Sequence, residues 1–185
     1  MFSEPEKVVP YLQLTDGMTV ADFGAGSGTY ALAAARRVGA RGRVYAVEVQ
    51  KDLLERLGAA ARAAKLGNLE IIWGDVEKVG GSKLADGAVD RVIISNLLFE
   101  VDGKYTLALE AKRILRPDGL AAVVEWSDSF GGMGPVAERV IKPDEVKKIM
   151  AEAGFQFQNA FPAGDHHYGL LFKLKARLAV GQADS

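Results

Sequence analysis

From Thr19 onward, short apolar runs rich in Val, Ile and Leu alternate with segments of helical hydrophobic period. This alternation limits the fold more than any other feature, because a strand–helix–strand repeat lays its strands side by side in parallel and covers them with helices. Strands are expected at 19–23, 44–48, 69–73, 90–95 and 120–125, each short and nearly all apolar, as strands buried on both faces are. Crossover helices are expected at 30–38, 51–65 and 104–115; in the second, Leu53, Leu54, Leu57, Ala60, Ala61 and Ala64 recur at helical spacing. The last third differs. A Gly-rich stretch at 127–142 leads into a helix at 143–153, then apolar runs at 155–161 and 168–174, whose short link predicts an antiparallel hairpin. Ahead of the first strand, residues 5–14 read as a helix, with Ser3 or Glu4 as cap and Pro5 in the first turn, where a missing N–H costs nothing. Residues 1–175 are expected to form a single α/β domain, and 176–185, which lack an apolar period, a flexible tail.

Composition removes several classes of function. Lys and Arg total 23 against 24 Asp and Glu, a formal charge of −1, so no global basic field exists to hold a nucleic-acid backbone. The absence of cysteine excludes a disulfide scaffold, a Cys-ligated zinc and a thiolate nucleophile. Two histidines without a third ligand at metal spacing predict no metal site. No apolar run approaches the roughly 18 residues of a membrane span, and residues 1–13 lack a signal-peptide core. A cytoplasmic location is the expectation.

The segment Val20-Ala21-Asp22-Phe23-Gly24-Ala25-Gly26-Ser27-Gly28-Thr29 sets three glycines between the first strand and the first helix. Glycine permits a tight turn and lets a ligand approach the backbone beside the unpaired N–H groups of a helix start. A purely structural turn would also favour glycine. Three acidic or polar residues then end successive strands: Glu48, Asp75 and Asn96. Glu48 suits a pair of ribose hydroxyls or a solvated strand end, and Asp75 an adenine amino group or a helix cap. All converge on the carboxyl edge of the sheet, where open α/β sheets bind ligands.

With its Asp22-x-Gly24-x-Gly26-x-Gly28 spacing, the chain resembles the class I S-adenosylmethionine-dependent methyltransferases over about residues 5–175. Leu115-Arg116-Pro117-Asp118-Gly119 is similar to the L-x-P-G-G turn before the family's fifth strand, with Asp118 in place of one glycine. In finer grain it resembles small relatives of the ubiquinone and menaquinone biosynthesis methyltransferases, by Gly17-Met18-Thr19-Val20, Val44-Tyr45-Ala46-Val47-Glu48 and Ala153-Gly154-Phe155. The resemblance implies a Rossmann-like three-layer sandwich with a mostly parallel seven-stranded sheet, its antiparallel seventh strand inserted between strands five and six. It also implies S-adenosylmethionine as cofactor, S-adenosylhomocysteine as product, and a small-molecule acceptor. The donor residues it implies are Asp22, Gly24, Ala25, Gly26, Gly28, Tyr30, Glu48, Val49, Asp75, Val76 and Asn96. Asn96-Leu97-Leu98-Phe99 is not the signature of amino-methylating nucleic-acid enzymes, and the lack of cysteine removes the covalent cytosine and thiolate-bound arsenite mechanisms. Phe99 stands where relatives often carry His.

Methyl transfer from a sulfonium needs alignment more than a catalytic motif. Candidates therefore come from loops at the carboxyl edge: Glu100, then Glu125, Trp126 and Asp128, then Arg139, and the hairpin tip Asp165, His166 and His167. Either histidine is a candidate general base near neutral pH, against plain packing at a hairpin tip. Glu100 is a candidate base or a helix cap, and Arg139 a partner for an acidic substrate or for a surface carboxylate. The stretch 127–142 is long for a strand-to-helix connection and reads as a lid. Two rival functions remain at this level: a non-catalytic binding module of the same fold, and an NAD-dependent oxidoreductase, which the missing G-x-G-x-x-G opposes.

Overall fold

Seven strands form one sheet in the order β3-β2-β1-β4-β5-β7-β6. The computed structural model describes residues 4–132 and 134–175. Strands β1 (Thr19–Phe23), β2 (Arg43–Glu48), β3 (Leu69–Trp73), β4 (Val89–Ser95) and β5 (Leu115–Trp126) pair in parallel, whereas β7 (His167–Leu174) runs antiparallel to both β5 and β6 (Phe155–Pro162). The Rossmann-like α/β sandwich is therefore borne out, including the strand inserted between the fifth and sixth.

Successive strand residues point to opposite faces, and both faces are covered. On β4, Ile93 packs with Leu12, Val38 and Leu57, beneath α1 (Pro5–Val8), α2 (Thr29–Val38) and α3 (Lys51–Ala63). Its neighbour Ile94 packs with Leu107, Met150 and Phe155, beneath α4 (Lys104–Ile114) and α5 (Pro143–Glu152). This double burial explains the unbroken apolar run Val92-Ile93-Ile94 in β4.

Two elements differ from expectation. The N-terminal helix is α-helical only through Val8 and continues as a 3-10 turn, Val9–Leu12, because Pro10 has no N–H for an i→i−4 bond. Glu4 sits at its N-cap without a side-chain cap bond, and Ser3 lies outside the described residues. Strand β5 begins at Leu115 and absorbs the Pro117-Asp118-Gly119 turn, so pairing jumps from Val89↔Leu115 to Arg91↔Leu120. A Cβ at Gly119 would stand 2.6 Å from Leu115 Cδ2 and 2.9 Å from the Arg116 carbonyl, so this excursion requires glycine. The tail 176–185 lies outside the described residues.

The order reverses between β1 and β4, and a crevice opens there at the carboxyl edge. Because β7 is antiparallel, its start reaches the same edge, with Trp126 opposite His167.

Candidate functional site

The glycine loop leaves β1 through residues that only glycine adopts easily: φ is +63° at Gly24, +54° at Gly26 and +85° at Gly28. Their surroundings differ. A Cβ at Gly24 would meet Leu97 Cδ1 at 2.7 Å and one at Gly28 would meet Leu57 Cδ1 at 2.0 Å, whereas at Gly26 the nearest atom is the Gly24 carbonyl at 3.9 Å. Gly28 thus packs the loop against α3, and Gly26 faces open space.

Glu48 is not the solvated strand end that the sequence allowed. It is 5% exposed. Its Oε1 accepts from the N–H groups of Val49 (2.8 Å) and Gln50 (2.9 Å), and its Oε2 accepts from Gly26 N–H at 3.0 Å. The carboxylate ties the end of β2 to the glycine loop. Glu48→Ala should therefore lose about 1–3 kcal/mol of fold stability as well as donor affinity, because it leaves three part-buried N–H groups without an acceptor. Thermal melting and titration calorimetry read the two losses separately; a melting temperature equal to wild type would remove the tie.

A cleft of about 510 Å³ opens beside this loop. Every residue that the resemblance assigns to the donor lines it except Gly28, which is turned toward Leu57. Asp75 also serves its own backbone: its Oδ1 accepts from Glu77 N–H at 3.1 Å, and Lys78 Nζ lies 2.9 Å from its Oδ2. Asn96 takes a left-handed φ of 52° at the end of β4, where its N–H donates to the Val124 carbonyl at 2.8 Å. Two acceptors in the cleft wall are buried and lack a partner, Asp22 Oδ2 and Asn96 Oδ1. Burial pushes the Asp22 carboxyl up to about 7, with the Ala31 N–H pulling down and Glu48 adding to the rise. Both oxygens are acceptors of the kind an ammonium needs, and an open cradle at Gly26 admits close approach to the backbone. The chain thus fits the amino-acid end of S-adenosylmethionine.

Glu100 also lines the wall, and burial, reinforced by Glu48, raises its pKa while Arg139 opposes. Arg139 itself is exposed on a 3-10 turn, Ala137–Arg139, and lies outside the lining. The histidines separate. His166 is engaged with Asp128 (Nδ1 to Oδ1, 3.0 Å) and stacks on Phe130 with centroids 3.8 Å apart. His167 lines the cleft against Trp126, with centroids 4.2 Å apart. Burial lowers the His167 imidazole to about 4. Among the described residues no cluster of His, Cys, Asp and Glu has the makings of a metal site.

Glu125 emerges as a structural centre that its strand-end position only hinted at. It is fully buried, and its Oε1 accepts from Leu97 N–H (2.9 Å) and Leu98 N–H (2.6 Å), fastening the loop after β4, while its Oε2 lacks a partner. Burial pushes it up to about 7 despite these bonds. Ser27, Thr29, Gln50 and Glu77 also line the cleft; each neighbours a motif residue, and that adjacency is the only sequence signal for them. The 127–142 segment is held at both ends, by Ser127 N–H on the His166 carbonyl (2.9 Å) and Tyr168 O–H on the Ile141 carbonyl (2.7 Å).

A family model described as a methyltransferase domain matches residues 14–154. An arsenite methyltransferase from Aquipseudomonas alcaligenes is 34% identical over 111 residues, covering 57% of this chain and 32% of that protein. A demethylmenaquinone methyltransferase from Geobacillus kaustophilus is 27% identical over 122 residues, covering 66% of this chain and 51% of that protein. The chain thus spans 32% and 51% of these curated relatives. A solved S-adenosylmethionine-dependent methyltransferase from Aquifex aeolicus superposes with a TM-score of 0.85 at 28% identity, covering 94% of this chain and 91% of that one.

Proposed function

We propose, from the premise that this chain belongs to the methyltransferase domain family and is S-adenosylmethionine-dependent like its solved relative, that it moves a methyl group to a small-molecule acceptor. The observation that carries this reading is the pair of buried, unpartnered acceptors, Asp22 Oδ2 and Asn96 Oδ1, in the wall of a cleft cradled by Gly26. When bound, the donor supplies a methyl group already activated by its sulfonium. The chain's own task is then to hold and orient. Asp22 and Asn96 take the ammonium, Gly26 leaves open space against the backbone, Glu48 keeps the loop in place beside the ribose, and Asp75 faces the adenine.

Glu100 is the proposed base in the cleft wall, and the burial that raises its pKa makes it a better proton acceptor than an exposed glutamate. The lack of cysteine argues against the arsenite named for one relative. A planar ring like the quinone of the other finds a match in the Trp126 wall. No described helix is long and apolar enough to cross a membrane, and a cytoplasmic setting suits a small-molecule enzyme of this kind. Methyl-labelled donor, incubated with the protein and a small-molecule cell extract, should yield a labelled product detectable by mass. Saturable donor binding with no labelled product would leave a non-catalytic binding module.

The Gly-rich segment is proposed as a lid over the acceptor. Phe130 (43%) and Val136 (61%) are exposed large apolar side chains on it, and its pinned ends supply two hinges. Its amides should exchange quickly in the free protein and about tenfold or more slowly once S-adenosylhomocysteine and an acceptor from that screen are both bound. Equal exchange in both states removes the lid.

A further inference from the structure

The cleft is one-sided in charge. Asp22, Glu48, Asp75, Glu77 and Glu100 line it, and among the described residues no lysine or arginine does. Lys78 is engaged with Asp75, and Arg139 acts on Glu100 from an exposed turn. Carboxylates in a concave wall focus a negative field on its interior, which attracts cations and repels anions.

The wall of this cleft holds a second set of unsatisfied groups. His167 is 6% exposed, and neither ring nitrogen has a hydrogen-bond partner. Buried polar groups are almost always paired, so these two point to a missing partner. Its neighbour His166 is already occupied by Asp128 and Phe130, whereas the His167 ring lies against Trp126 in the wall itself. An uncharged imidazole offers one N–H and one bare nitrogen. A hydroxyl can answer either nitrogen and an amine can donate to the bare one, whereas a carboxylate can answer only the N–H and brings charge into an acidic cleft.

We infer that Trp126, His167 and Glu100 form the acceptor subsite, and that it takes an uncharged or cationic molecule presenting a hydroxyl or amine beside an apolar body, and refuses carboxylates. The inference rests on the methyltransferase reading of the same cleft. Burial keeps the imidazole uncharged through the physiological range, so it orients the acceptor by hydrogen bonds and does not draw anions by charge.

The test uses the full chain, labelled with nitrogen-15 in its histidines and loaded with S-adenosylhomocysteine, titrated in turn with phenol, benzylamine and benzoate. The His167 ring resonances should shift saturably with phenol or benzylamine and stay in place with benzoate. His167→Phe should bind S-adenosylhomocysteine within about twofold of wild type, which shows that the fold is intact, and lose at least about tenfold of the affinity for the responding probe. His167→Gln, which keeps a donor and an acceptor, should recover most of it. A benzoate response as large as the others, or His167 resonances unmoved by all three with S-adenosylhomocysteine bound, would overturn the subsite. Failure of S-adenosylhomocysteine to bind the wild type would instead bring down the methyltransferase reading, and the subsite with it.

Discussion

S-adenosylhomocysteine at about one hundred times its dissociation constant should stabilise the folded chain by about 2.7 kcal/mol, a rise in melting temperature of roughly 5 to 11 °C for a chain of this length. NAD should give almost none. Its diphosphate would enter a cleft lined by Asp22, Glu48 and Asp75, where charge repels it and no glycine spacing aims a helix start at it. The effect should also depend on pH. Asp22 titrates at about 7 in the folded chain against an ordinary 3.8, so between those values the native state holds a proton that the unfolded state has lost. The stability this contributes is complete below the unfolded value and fades as pH rises through about 7. An ammonium in the site pairs with the ionised carboxylate and offsets that loss, so the ligand-induced shift should grow from about pH 6 to about pH 8, with proton release on binding. Melting curves and calorimetry in buffers of different ionisation enthalpy measure both. A shift with NAD and none with S-adenosylhomocysteine would reverse the functional reading, and a pH-independent ligand shift would remove Asp22 from the ammonium.

Gly28→Ala should be among the most damaging single-methyl changes in the protein. The new Cβ would lie 2.0 Å from Leu57 Cδ1 on a backbone with φ +85°, and Leu57 is fully buried. Left-handed backbone costs about 1–2 kcal/mol and overpacking about 1–3 kcal/mol. Together these predict a loss of about 2–5 kcal/mol, or roughly 4 to 20 °C in melting temperature, a large share of the roughly 5–15 kcal/mol that holds a typical domain. Gly26→Ala makes the contrast. It pays the backbone cost, about 1–2 kcal/mol, without the clash, but its methyl enters the cleft, so its larger loss should be in S-adenosylhomocysteine affinity. Thermal melts and calorimetry on the two variants separate packing from binding. If both lost stability equally and neither lost affinity, the division of labour within the loop would be wrong.

That division is where reading the chain residue by residue stops. The strands, the crossover helices and the hairpin were legible because their signals are local: an apolar run, a period of 3.6, a short link between two apolar stretches. The break at Pro10 is a local signal too, but the apolar pattern runs through it to Leu12 and masks it. The site's position followed from where Asp22, Glu48, Asp75 and Asn96 fall relative to strand ends, since every parallel strand delivers its last residue to the same edge.

The sequence by itself determined the fold class, the edge at which the site lies and the chemical character of the residues brought there. Tertiary structure decided which of those residues are spoken for. His166 and His167 are adjacent and identical in chemistry, yet one is held by Asp128 and Phe130 and the other faces the cleft. Glu48 and Glu125 both end strands, and each is buried on N–H groups of a loop that the sequence places far from it, Gly26 for the first and Leu97 and Leu98 for the second. Gly26 and Gly28 share a motif, but only the packing of Leu57 separates the glycine that serves the core from the one that serves the ligand. The reason is geometric. Periodicity says which face of an element a residue takes, while hydrogen-bond partners and free space come from elements that meet only when the sheet is assembled.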